Sequence, residues 1–566
     1  MRAVFPTVCA SGEGSSVRLG AGGRLAAIAC CRVALLCSWF LLSRTGSAEV
    51  TQIPSGPHRI AGTVVNAKGG NPLARCRVTV TDEKNRDSVK SVISGDDGRF
   101  EFHVPAGKYT LGGAKRGFIG GSYNQHDQFS TAIVTGVADL DTENLVLRLG
   151  ANAVLTGHVL DEFGEPVRDA QISVYREEHQ SGVSRTSLYR GTSTDDQGRW
   201  EVTPLDEGTY FVSAKASPWY AVHPTTSSEG GASAPVQVDA SLDVAYPITY
   251  YGDATEAEDA TPIPVRGGDR LEADIHMNPV PALHLILRVA AGSSFPVLYR
   301  TAFNDTDQLE GHSIQSVAPG VYELSGIAAG RYMVKMPETN GHTSEPVEVN
   351  VNGGGELDVS SGKATSQIKA TTQLAGAGSL PEDLQISLRS SKGRTIRVQV
   401  DAKGDANFPD VAAGKYDILA GSSTQRFSVV RVASEAGTIS GHTVTVPVGA
   451  SLTLALSIAE GSVSVDGFAK REGKPVGGAM IVLVPKNAEG DYDRFRRDES
   501  DLDGSFLLKD VIPGSYTVIA IENGWDLEWA EPAVVAQYLK RGQTIEVGNG
   551  AKAAMHLADA VEVQAK

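Results

Sequence analysis

A glycine standing two residues before a tyrosine, where an alternating apolar run begins, recurs five times in this chain, at Tyr109, Tyr210, Tyr332, Tyr416 and Tyr516. The copies lie roughly one small domain apart. A chain of 566 residues is too long for one hydrophobic core. Recurrence at that spacing therefore reads as one folding unit repeated.

The clearest unit opens with the alternating stretch Ile60-Ala61-Gly62-Thr63-Val64-Val65, turns at Gly69-Gly70-Asn71-Pro72-Leu73 and continues in Arg77-Val78-Thr79-Val80-Thr81. Asp96-Asp97-Gly98-Arg99-Phe100 and Pro105-Ala106-Gly107-Lys108-Tyr109 close it. The same order returns through Gly164-Glu165-Pro166-Val167, Asp196-Gln197-Gly198-Arg199-Trp200 and Gly208-Thr209-Tyr210, and again through Gly473-Lys474-Pro475-Val476, Asp503-Gly504-Ser505-Phe506 and Gly514-Ser515-Tyr516. Two degenerate units between them keep Gly330-Arg331-Tyr332, and Asp401 to Gly404 with Gly414-Lys415-Tyr416.

Each slot has a physical reason. Asp-x-Gly makes a hairpin, the carboxylate bonding locally and the glycine taking a positive φ. The aromatic after it (Phe100, Trp200, Phe506) opens a strand and should point inward. A tyrosine before a strand, after a crossing loop, packs its ring and bonds upstream backbone through its hydroxyl, as in a tyrosine corner. These five tyrosines are read as structural.

Together the motifs resemble the carboxypeptidase regulatory-like domain, related in fold to transthyretin-like, starch-binding-like and collagen-adhesin B-type modules. The resemblance covers most of residues 57–566 and implies an all-β chain of tandem Greek-key sandwiches (prealbumin-like or Ig-like) with little helix. The units are placed at 57–150, 151–280 with extra C-terminal strands, 281–360, 361–458 and 459–566. Residues 271–277, 542–547 and 553–557 read as edge strands. Trp529 to Leu539, with Pro532 near its first turn, is the one expected helix.

Residues 1–48 read as an export signal: Arg24 and Arg32, a short apolar core from Val33 to Leu42, then Gly46-Ser47-Ala48. The apolar run is shorter than the ~20 residues a spanning helix needs, so cleavage is favoured over anchoring, and no later segment reads as an integral membrane span. The leader holds four of five cysteines, leaving Cys76 without a disulfide partner. It also holds five basic residues and one acidic, so the remainder carries 46 basic against 66 acidic. Such a surface repels nucleic acid and anionic membranes.

No catalytic, cofactor or metal residue emerges. His342-Thr343-Ser344-Glu345 with His442 matches part of a zinc-peptidase pattern but stands in a turn-like stretch without a surrounding α/β domain. Cys76 reads as a buried filler. Asp96-Asp97, Asp195-Asp196 and Asp501-Leu502-Asp503 lack the spacing of a twelve-residue calcium loop. An isopeptide link of the kind found in some adhesin modules needs a lysine on the opening strands, and residues 60–65 and 155–160 have none. The aromatic pairs Trp219–Tyr220, Tyr250–Tyr251 and Trp525–Trp529 could stack sugar rings, or could cover sandwich ends and glue neighbouring modules.

The expectation is an exported protein, periplasmic, cell-surface or extracellular, and not an enzyme. It would act as a scaffold for other cell-envelope or extracellular proteins. The alternatives are a carbohydrate-binding protein using the loop aromatics, and a peptidase or peptidase accessory. Five modules in a row would form an extended rod, bending at linkers such as residues 225–231.

Overall fold

The computed structural model describes residues 51–566 apart from 181–182, 225–238, 289–296, 304, 309–312, 336–346, 358–364, 377, 391–394, 436 and 549–553. The leader, the 225–231 linker and the His342–Glu345 match fall outside the described residues. The chain is all-β with little helix, and one pairing scheme occurs five times.

The opening strand of each unit pairs antiparallel with the strand after the Asp-x-Gly turn, or in the third unit after Pro319-Gly320, and parallel with a strand from the unit's end. His58–Asn66 lies between Arg99–Val104 and Leu145–Leu149. Ala153–Leu160 does the same with Arg199–Leu205 and Arg270–Glu272. Leu283–Arg288 sits between Val321–Ile327 and Gly355–Leu357, and Ser366–Leu374 between Asp405–Val411 and Ser451–Glu460. Val463–Arg471 takes Ser505–Val511 and Met555–His556. The facing sheet centres on the Gly-x-Tyr strand, as where Gly107–Ala114 pairs with Arg77–Asp82 and Ile133–Thr135.

Burial follows the alternation. In Arg99–Val104 the side chains of Phe100, Phe102 and Val104 point into the first core and their neighbours outward. Among the described residues five cores, in order along the chain, each hold their own Gly-x-Tyr ring.

The Asp-x-Gly turns are alike down to one close approach. Gly98, Gly198, Gly404 and Gly504 all have φ between +70° and +89°. A Cβ on each would stand 2.5–2.7 Å from a carbonyl oxygen of the opening strand, at Val64, Val159, Thr372 and Ala469. The glycine carbonyl in turn accepts a bond from the same residue's N–H, at 2.7–2.9 Å. Only glycine fits.

The tyrosines lock the other end. Tyr109 donates to the Pro105 carbonyl at 3.1 Å, Tyr210 to Asp206 at 3.0 Å, Tyr332 to Ala328 at 2.6 Å and Tyr516 to Ile512 at 2.7 Å. All five rings lie over the glycine two residues back, within 3.3–3.7 Å of where its Cβ would be. Burial pushes the hydroxyls of Tyr210 and Tyr516 up to about 12, so they remain donors.

In the last unit Val561–Ala565 pairs parallel with both Val463–Arg471 and Gly514–Glu522, joining the two layers. Met480–Pro485 is buried on both faces. The helix Pro532–Leu539 explains this: Val535 and Tyr538 cover Met480, Val482 and Ile519 from outside. The helix starts three residues later than Trp529 because Pro532 takes its first turn. Among the described residues no helix is long and apolar enough to cross a membrane.

An extended rod is not what forms. Residues 52–566 make one compact unit, and its first and last sandwiches touch.

Candidate functional site

The contact between the first and fifth sandwiches joins residues singled out in the sequence, Asp501, Trp525 and Trp529, to side chains that no motif marks. Gly121–Ser122 and Ile133–Thr135 flank a loop of the first unit, and Arg496–Glu499 is a short strand of the fifth. The Glu499 side chain, 1% exposed, accepts from Thr131 Oγ1 at 2.5 Å and meets His126 Nδ1 at 3.0 Å. Lys108 Nζ reaches Asp501 Oδ2 and Ser505 Oγ, both at 2.6 Å. Asp501 Oδ1 accepts from Ala132 N–H at 3.2 Å, and the Ala132 carbonyl accepts from Leu502 N–H at 3.0 Å. Burial raises the Asp501 carboxyl above the ordinary range, with Lys108 opposing it.

Arg497 is the centre of the apolar side. Its guanidinium bonds Asp127 Oδ2 at 2.8 Å and lies 5.0, 5.3 and 4.8 Å from the ring centres of Phe129, Trp525 and Trp529. The His126 ring stacks on Trp525. A cation between desolvated rings is held by their quadrupoles as well as by its ion pair. The fifth unit also touches the second, where Glu528 accepts from Ser184 N–H at 3.3 Å, and the fourth, where Arg389 lies 4.2 Å over the Tyr492 ring.

The six aromatic side chains that could stack sugar or cover sandwich ends differ in exposure. Trp529 is buried and Trp525 is engaged by His126, Arg497 and a bond from its indole N–H to the Gly478 carbonyl. Tyr250 is also buried, because Phe303 of the third unit sits edge-on against it, and burial pushes its hydroxyl pKa far up. Tyr251 is half-buried beside the second core. Trp219 alone is open, at 84% exposure, and stands edge-on to Tyr220. Tyr220 and Tyr246 both donate to the Glu162 carboxylate, and the neighbouring Phe163 is 79% exposed.

The acidic turns of the first two units bond to themselves, whereas in the turn of the fifth Asp501 and Leu502 reach the first unit. Asp195 Oδ1 accepts from the N–H groups of Gln197 and Arg199, and Asp97 Oδ1 from Arg99. Cys76 is buried, its thiol donating to the Leu73 carbonyl at 3.3 Å and pushed up by burial. His442 stands 3.7 Å from Asp491. His158, Glu272 and Asp274, which the sequence did not single out, place one ligand atom each within 4.8 Å of the others. The two carboxylates are 66% and 41% exposed. In the first and fifth units the same pair of neighbouring segments carries Arg59–Glu143 and Asp466–His556. His158 stands within ion-pair distance of both carboxylates, at 3.7 and 3.3 Å.

Residues 59–132 match the carboxypeptidase regulatory-like domain. The comparison with curated proteins gave no match. Among solved structures the chain is similar to the Bacillus anthracis TIE protein, at 13% identity over 76% of this chain and 79% of that one, with a TM-score of 0.17. It is similar to a streptococcal ancillary pilin, at 11% identity over 53% and 96%, TM-score 0.19. A third is GBS52, the minor pilin of Streptococcus agalactiae, at 13% identity over 40% and 97%, TM-score 0.21.

Proposed function

We propose that this protein is an exported, non-catalytic scaffold that presents a fixed surface to other cell-envelope or extracellular proteins. The observation that carries the reading is the seam between the first and last sandwiches. The five Gly-x-Tyr tyrosines serve their own unit, whereas Lys108, His126, Arg497 and Glu499, with the turn carboxylate Asp501, join one unit to another. Interior charges arranged this way fix relative orientation, and fixed orientation is what a scaffold supplies.

Small-angle scattering on the protein lacking its leader tests this. The wild type should be compact, and a Lys108→Ala/Glu499→Ala double variant should have a larger radius of gyration with unchanged circular dichroism. An extended wild type removes the reading. Peptide hydrolysis that stops on adding a chelator would overturn its non-catalytic part.

A second reading, glycan binding, is favoured by the exposure of Trp219 beside Tyr220. The apolar faces of sugar rings stack on such rings. Glycan-array binding lost in Trp219→Ala would establish it, and no binding to any glycan would remove it.

A further inference from the structure

Four titratable side chains alternate in a chain at the junction of the second and third sandwiches. His223 Nδ1 meets Asp243 Oδ1 at 3.1 Å, Asp243 Oδ2 meets His284 Nε2 at 2.7 Å, and His284 Nδ1 meets Glu323 Oε1 at 3.1 Å. Their side chains are 15%, 20%, 15% and 0% exposed in that order. His223 follows the strand Gly208–Lys215 of the second unit, and His284 and Glu323 lie on Leu283–Arg288 and Val321–Ile327 of the third. Asp243 stands between: the ribbon after it pairs Val244–Ala245 with Val280–Pro281, and its carbonyl accepts from Ala282 N–H at 2.9 Å. His223 lies so close to the third unit that a Cβ on Gly326 would come within 2.7 Å of its ring.

The geometry sets a proton count. A neutral imidazole has one N–H, and a carboxylate only accepts. Both ring nitrogens of His284 face carboxylate oxygens, so both bonds form only when both nitrogens carry hydrogen. A neutral ring leaves one of two largely buried carboxylates without that donor, which is costly where water cannot replace it. We propose that the proton on His284 is a latch that fixes the third sandwich on the second, so that the junction is rigid at mildly acidic pH and loosens as pH rises.

The rest of the junction acts as a pivot. Arg300 bonds the Thr255 carbonyl and Glu256, and Arg331 bonds Glu258 at 2.9 Å. Phe303 sits among Tyr175, Phe211 and Tyr250. Between pivot and latch lies a cavity of about 30 Å³, lined by Lys215, His223, Tyr246, Arg300 and Tyr332 among others, which is room for about one water. Arginine pairs and aromatic contacts do not titrate between pH 5 and 9, so losing the latch leaves the pivot intact.

The charged groups facing His284 are Asp243 and Glu323, with His223 behind Asp243. Burial works against the charged ring, yet the two carboxylates outweigh it and hold His284 above the ordinary imidazole range. A raised value in the folded state means the proton's contribution is complete below the unfolded pKa and lost as pH climbs through the folded one.

Hydrogen exchange with intrinsic-rate correction, together with imidazole NMR, tests the latch in the leaderless protein. Protection of the Ala245 and Ala282 amides should fall about tenfold or more between about pH 6 and about pH 8.5, one tenfold step per unit of linked shift. Protection in the Val297–Ala302 strand should stay constant. His284→Gln should show low junction protection at both pH values. Asp243→Asn, which leaves the ring one carboxylate to serve, should keep protection and lose its pH dependence. Junction protection independent of pH in the wild type, or a His284 that titrates below the ordinary imidazole range, would overturn the proposal.

Discussion

Lys108 and Asp501 meet at 2.6 Å although 393 residues of chain separate them. No local preference places two residues that far apart in sequence side by side. The contact is long-range order between the first and last sandwiches, and Asp501 is largely buried in it.

Breaking this pair should be felt at the seam and not in the sandwiches. An exposed pair contributes ~0–1 kcal/mol, and removing one partner of a buried pair costs ~3–5 kcal/mol. Lys108 is 38% exposed and Asp501 18%, so Lys108→Met should cost about 2 kcal/mol. Urea unfolding followed by Trp525 fluorescence reports the seam. Its midpoint should fall further than that of the fourth unit, read from exchange of Gly414–Gly421 amides.

The tyrosine hydroxyls allow a smaller and cleaner change. Tyr516→Phe keeps the buried ring and removes the bond to the Ile512 carbonyl at 2.7 Å, which should cost about 1 kcal/mol. Tyr516→Ala removes the ring as well and should cost ~3–5 kcal/mol. A five-ligand role for these tyrosines would instead show as binding lost in the Phe variant with stability unchanged.

Much of this was legible in the residues because it repeats. Gly198, Gly404 and Gly504 occupy one steric situation, and Tyr109 through Tyr516 another, so each copy supports the rest. The seam does not repeat. Lys108, His126, Glu499 and Arg497 occur once each in their roles, and an isolated charge in a loop carries no sign of its partner. The charged run Arg496-Arg497-Asp498-Glu499, beside the fully apolar Met480–Pro485, was the available signal. For Trp529 and Tyr250 the residue pattern leaves two readings, stacking sugar or covering a module's end, because the partner that decides between them lies far along the chain. Arg497 and Phe303, from elsewhere in the chain, cover them.

Asp498 should make stability fall with rising pH. Burial pushes its carboxyl up to about 7, although it accepts from Leu507 N–H at 2.6 Å. The folded value lies above the unfolded one, so the folded state holds the proton longer. Its contribution is complete below about pH 4 and lost by about pH 7. Asp498→Asn keeps an acceptor for Leu507 and removes the titration. Its melting temperature should match the wild type near pH 4 and exceed it at pH 8, and a gap that does not grow with pH would refute this account.

Trp219 and Trp525 should separate surface from seam. Trp219 is 84% exposed, so Trp219→Ala should change stability by less than about 0.5 kcal/mol. Trp525 stacks on His126 with centroids 4.6 Å apart and planes 5° from parallel. Trp525→Ala should cost about 3 kcal/mol and release His126. Thermal unfolding distinguishes the two variants, and equal melting temperatures would contradict the placement of both rings.

Two glycines of the second unit isolate the steric part of the turn argument. Gly164 and Gly198 have φ of +77° and +70°, so alanine at either pays the same left-handed backbone cost, ~1–2 kcal/mol. A Cβ on Gly164 meets nothing within 4 Å, whereas one on Gly198 stands 2.6 Å from the Val159 carbonyl oxygen. That oxygen belongs to the ladder of Ala153–Leu160 and moves only if the strand moves. Gly198→Ala should therefore lower the melting temperature well beyond Gly164→Ala, and exchange of the Val159 amide, which donates to the Gly198 carbonyl at 2.8 Å, should speed up only in the first. Equal effects of the two substitutions would mean that backbone conformation, and not the close approach to the opening strand, is what requires glycine in the turn.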